Sequence, residues 1–134
     1  MIFRLSAGRA YTYEADELAA ATSIPFFTRF ISRLTNIVSP RHLHVMAHSM
    51  GSRTVLHSLH ILAETAPHVS LGEVVFFAAD VEAQTFQKAL PLLVRISRRV
   101  THYVSFNDYA LYFAMGVPSR DFPVPRVGQV AMRS

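Results

Sequence analysis

The chain has 134 residues, enough for one domain with a modest core and too few for two. Its composition, 51% hydrophobic and 16% charged, excludes a disordered or fibrous protein, and no apolar run reaches the roughly 18 residues of a membrane span. The net charge of +4 is dispersed apart from one cluster, Arg95, Arg98 and Arg99, and no recognition motif accompanies it, so no nucleic-acid partner is expected. The absence of cysteine excludes disulfides, thiolate metal sites and thiol catalysis. Met1-Ile-Phe-Arg-Leu-Ser6 offers no basic segment ahead of a long apolar one, so no signal peptide is visible and the cytoplasm is the default location.

Ile2–Leu5 reads as a strand already under way at the first residue, followed by a turn over Ser6–Arg9. A helical pattern runs from Glu14 to Ile37, with Leu18, Ala21, Phe26, Phe30, Leu34 and Ile37 marking one buried face. Pro25 is expected to kink or divide that helix, because it lacks an N–H and crowds the preceding turn. Ser39-Pro40 stops it. Leu43–Met46 is a short apolar strand, Ala47-His-Ser-Met-Gly51 a sharp turn, and Val55, Leu56, Leu59, Leu62 and Ala63 place a helix from Ser52 onward. Thr65–Gly72 is a loop. Glu73–Asp80 is a near-continuous apolar strand ending in an acid, the form of a strand buried on both faces of a parallel sheet. Val81–Arg99 is another amphipathic helix, weakened at Pro91, whose last turn would carry the arginine cluster. Val100–Phe106 is the next strand, Tyr109–Met115 a short helix, and Pro118, Pro123 and Pro125 mark an irregular end. The alternation predicts a parallel sheet of about four strands with helices on both faces. Residues 1–128 form the domain and 129–134 a tail.

Strand, tight turn with serine at its centre, small residues at both ends, then helix: this is the pattern of a nucleophile elbow, with Ala47 in the first position of G-x-S-x-G. Side chains larger than a methyl would clash at the turn's ends, where strand and helix crowd it. Ser49 would stand above the carboxyl end of the sheet, where ligands of such sheets bind. The helix beginning at Met50 would aim its unpaired N–H groups at a developing oxyanion. Asp80 and Asp108 also fall at carboxyl ends of strands, although each could simply cap the helix that follows it.

Ser6-Ala-Gly8, Tyr11, Tyr13-Glu-Ala-Asp16, Ala47-His-Ser-Met-Gly-Ser-Arg53, Ala78-Ala-Asp-Val81 with Phe86, Ser105-Phe-Asn-Asp-Tyr-Ala-Leu111 and Pro125-Arg-Val-Gly128 together resemble the DUF900 group of α/β-hydrolases, in that group's order across residues 3 to 128. The resemblance implies a partial α/β-hydrolase fold and a serine–acid–histidine triad. Ser49 maps to the nucleophile and Asp108, two strands after it, to the acid. Asp80, one strand earlier, is the alternative acid. The backbone N–H of Met50 is one oxyanion donor.

A serine hydroxyl needs a positioned base, and the resemblance implies a histidine later than the acid. Residues 109–134 contain none; the seven histidines are His42, His44, His48, His57, His60, His68 and His102. His48 adjoins Ser49 but should diverge from it, and His57 and His60 are spaced to chelate a metal without an evident third ligand. The second oxyanion donor, which such enzymes carry on a loop after an earlier strand, would precede Met1. The expectation is therefore an esterase or lipase-like serine hydrolase acting on a small-molecule carboxylic ester, incomplete at both ends and crippled by loss of the triad histidine. The alternative is an inactive remnant that binds partners or self-associates through open sheet edges. Neither reading requires a cofactor or a metal.

Overall fold

Apolar runs too short for helices, set between amphipathic stretches of 14 or more residues, produce alternating strands and helices. The computed structural model describes residues 13–38 and 43–104. In chain order these hold α1 (Tyr13–Thr35), β1 (Val45–His48), α2 (Gly51–Thr65), β2 (Leu71–Phe77), α3 (Ala83–Ile96) and β3 (Ser97–Tyr103). The three strands are parallel and lie in the order β1-β2-β3, with Val45 opposite Val74 and His48 opposite Phe77. Phe77 in turn stands opposite Tyr103. The expected strand at 2–5 and helix at 109–115 lie outside the described residues.

The described helices share one face of the sheet. Phe76 of β2 meets Phe86 of α3 edge-on at 5.2 Å, and Phe86 also covers His102 of β3. α2 packs between α3 and α1, and Val45, Ala47, Val74, Phe76, Leu59 and Leu93 are all buried in the common core. Two α2 hydroxyls reach the α1 main chain: Thr54 Oγ1 donates to the Ala20 carbonyl at 2.9 Å and Ser58 Oγ to that of Ile24 at 3.1 Å. Because donors four apart meet acceptors four apart, these bonds fix the longitudinal register of two parallel helices.

The buried face of α1 is not the expected one. Leu18, Phe26 and Ile37 are 66%, 67% and 80% exposed, whereas Ala20, Phe27 and Ile31 are buried. Residues 20, 24, 27 and 31 also follow helical spacing. The small Ala20 lets α2 approach closely enough for Thr54 to bond its carbonyl, which the Leu18 face would not allow. Both internal prolines leave their helices continuous. Pro25 and Pro91 are exposed, as are Ala21 and Gln87, the residues whose carbonyls lose a partner, so solvent serves those oxygens.

Strand boundaries shift by two or three residues. β2 stops at Phe77 because Ala78 takes a left-handed backbone conformation, φ 43°. α3 stops at Ile96, where Ser97 Oγ closes the helix on the Leu93 carbonyl at 2.6 Å and Ser97 pairs with Leu71 in the sheet. Arg98 and Arg99 are thus in β3, and only Arg95 remains in the last helical turn. Arg99 instead bonds Glu73, directly opposite it on β2, at 2.8 Å. Cross-strand charge pairing decided the position that a helix dipole was expected to explain. No described helix is long and apolar enough to cross a membrane.

Candidate active site

Ser49 is the single residue set between the last residue of β1 and the Met50 that leads into α2, and its φ is 49°. A left-handed conformation costs a side-chain-bearing residue about 1–2 kcal/mol and persists where surrounding bonds over-determine it. Three bonds do so here. Ser49 N–H donates to the Phe77 carbonyl at 3.1 Å, and the Ser49 carbonyl accepts from Ser52 N–H at 3.0 Å and from Asp80 N–H at 3.2 Å. The ends of β1 and β2, the start of α2 and the loop at 78–81 therefore converge on one residue. Ala47 beneath the turn is buried, which restricts that position to a small side chain. Met50 N–H has no main-chain acceptor among the described residues and opens the positive end of α2.

Asp80 is brought to this turn by the bond from its N–H to the Ser49 carbonyl. It is 1% exposed, and Arg53 of the first turn of α2 faces it, with Nη2 at 3.4 Å from Oδ2 and 3.5 Å from Oδ1. Arg53 Nε donates to the Asp80 carbonyl at 2.8 Å, and Arg53 Nη1 pairs with Glu17 of α1. Asp80 is not the N-cap of α3, which begins at Ala83 with Glu82 at that position. A buried carboxylate is tolerable only when paired, and the guanidinium supplies the pair. Asp108 lies outside the described residues.

The described histidines are scattered. His44 Nδ1 accepts the Glu73 N–H at 3.1 Å just before β1, His48 and His68 are exposed, and His60 lies 3.4 Å from Glu64 on the same helix. Partial burial, then the charges of His60 and Arg53, hold His57 below the ordinary histidine range. Burial likewise lowers His102, whose Nε2 is enclosed with no hydrogen-bond partner among the described residues. No histidine is bonded to Ser49 Oγ among them. They also contain no group of three potential metal ligands. A cleft of about 630 Å3 between α1 and α2, lined by Pro25, Arg29, Arg33 and Ile61, includes none of the candidate residues.

Sequence reasoning missed Arg53. The signal was available: an aspartate closing an apolar strand must be paired if it is buried, and Arg53 is the cation nearest in sequence to the same edge of the sheet, one turn into the preceding helix.

The family described as alpha/beta hydrolase of unknown function, DUF900, matches residues 5–134. Neither the curated proteins nor the solved structures yield a match. A parallel β-α-β-α-β order agrees with that match, and the chain belongs to the DUF900 family of α/β-hydrolases.

Proposed function

We propose that the chain is built as a serine hydrolase of the esterase or lipase type, with Ser49 as nucleophile toward a carboxylic ester. The observation that carries this reading is the left-handed Ser49 at the β1–α2 junction. Ser49 Oγ adds to the ester carbonyl carbon and gives up its proton to a base. The carbonyl oxygen becomes an oxyanion facing Met50 N–H. As the intermediate collapses, the base returns that proton to the alkoxide oxygen, the C–O bond breaks and the alcohol leaves, and water hydrolyses the remaining acyl-serine to the carboxylic acid and free serine. Asp108 is the acid that would orient the base, while Asp80, already engaged by Arg53, serves the scaffold.

Residues 109–134 contain no histidine, and on this reading the base is assigned to none of them. Removing the base from a coupled triad lowers turnover by orders of magnitude, so reactivity at Ser49 reports whether a base is within its reach. The test is labelling with a fluorophosphonate probe, with Ser49→Ala as control and circular dichroism to verify folding. Labelling that disappears in the variant supports the reading; a folded chain that stays unlabelled at high probe concentration overturns it.

A second reading, a binding or self-associating module, draws on the sheet face away from the described helices. Met46 there is 71% exposed beside His48, and Tyr103 stacks on Phe77 at 5.1 Å while more than half exposed. Sedimentation velocity over a range of concentrations tests it: a strict monomer removes the self-associating form of this reading.

A further inference from the structure

We propose that Arg53 is a positioning residue for Ser49, holding the nucleophile's backbone in its left-handed conformation through Asp80. The catalytic consequence rests on the serine-hydrolase reading; the clamp itself does not.

The bonds form a closed circuit. Asp80 N–H holds the Ser49 carbonyl, Arg53 Nε holds the Asp80 carbonyl, and Arg53 N–H holds the carbonyl of Met50, the residue that follows Ser49. Two left-handed residues, Ser49 and Ala78, flank the contact between the Ser49 turn and the 78–81 loop. Neither conformation is preferred by a residue with a Cβ, so each depends on bonds that hold the two segments together. The Arg53 side chain is 14% exposed, and carboxylates from two other segments, Asp80 after β2 and Glu17 in α1, meet its charge. That placement turns a surface-type residue into a three-way tie between α1, α2 and the end of β2.

The chemistry requires a guanidinium. One N–H must reach a main-chain carbonyl while the other edge faces two carboxylates, a fork that a lysine ammonium does not reproduce. A residue that merely stabilised the fold would weaken every protected amide alike. A positioning residue loosens the Ser49–Asp80 bond first.

The experiment compares wild type and Arg53→Lys by native-state amide hydrogen exchange and by fluorophosphonate labelling. Hydrogen bonds to charged groups are strong enough that their loss should speed exchange of Asp80 N–H about tenfold or more, with Val74 N–H in the centre of β2 changed far less. The labelling rate of Ser49 should fall by a similar factor, and guanidinium ion should partly restore it in Arg53→Ala. Glu17→Gln, at the solvent-facing end of the clamp, is the second variant should Arg53→Lys not fold, and it should accelerate the same amide by a smaller factor. Equal acceleration at Asp80 and Val74, or none at Asp80, overturns the proposal. If wild type does not label at all, the serine-hydrolase reading falls and the exchange data alone decide the clamp.

Discussion

Replacing Ser49 by glycine and by alanine separates backbone strain from loss of the hydroxyl. At φ 49° the wild-type residue stores about 1–2 kcal/mol that glycine does not incur. Glycine returns about 0.5–1 kcal/mol of that through the greater freedom of its unfolded chain. Ser49 is only partly buried, so removing its side chain opens no core cavity. Ser49→Gly should therefore be more stable than wild type by about 0.5–1 kcal/mol. Ser49→Ala keeps the Cβ and the strain, and should stay within about 0.5 kcal/mol of wild type. The gap between the two variants is about 1 kcal/mol, or some 4 °C in melting temperature for a chain of this size. Urea unfolding followed by circular dichroism measures it, with equal m-values required before midpoints are compared. Ala78→Gly is the internal control: φ is 43°, but the buried methyl is worth about 0.8 kcal/mol, so relief and loss nearly cancel. If Ser49→Gly is no more stable than Ser49→Ala, Ser49 holds no stored strain, and the main physical support for its role as nucleophile is gone.

Adjacent phenylalanines on α1 should behave oppositely. Phe27→Ala is expected to cost about 3–5 kcal/mol and Phe26→Ala less than about 0.5 kcal/mol in the same unfolding assay, and similar costs would mean that the helix presents a different face to α2. Stability should also fall on acidification. His57 and His102 both have folded pKa values below 6.5, so between those values and 6.5 the unfolded chain binds more protons than the native one, and stability rises with pH across that window. His102→Gln should flatten the dependence measured between about pH 5 and 7; an unchanged slope would mean that folding does not lower the pKa of this ring.

The fold was legible because periodicity reports directly on burial. The β2 run is almost wholly apolar and is central in the sheet, and Val55, Leu56, Leu59 and Leu62 are buried in α2 as their spacing requires. α1 was harder, since apolar residues surround most of its circumference and periodicity alone does not choose between the Leu18–Phe26 and Ala20–Phe27 stripes. The choice came from tertiary contact, through the hydroxyls of Thr54 and Ser58. The end of α3 was misplaced for a related reason: Ser97-Arg98-Arg99 is a passable last helical turn locally, and Leu71 and Glu73, which pull those residues into the sheet, are far away in sequence. At the candidate site the serine turn is a local motif and could be read. The Arg53–Asp80–Glu17 tie joins residues 27 and 36 positions apart, and no local pattern announces it.

The consecutive order β1-β2-β3 also bears on how the chain assembles as it is synthesised. Twenty-six residues separate the start of β1 from that of β2, and the same number separates β2 from β3. Each strand joins the edge left by its predecessor, after a crossover helix that has already emerged, and none has to be inserted between strands that have already paired. At about 5–20 residues per second, one strand–helix unit is completed every one to five seconds or so, far longer than helix formation requires. The Ser49 turn gains its bond to Phe77 only when β2 arrives, and the Asp80 clamp closes just after it. The strained residue is thus made before the partners that hold it, and it can relax to an ordinary backbone conformation until they emerge.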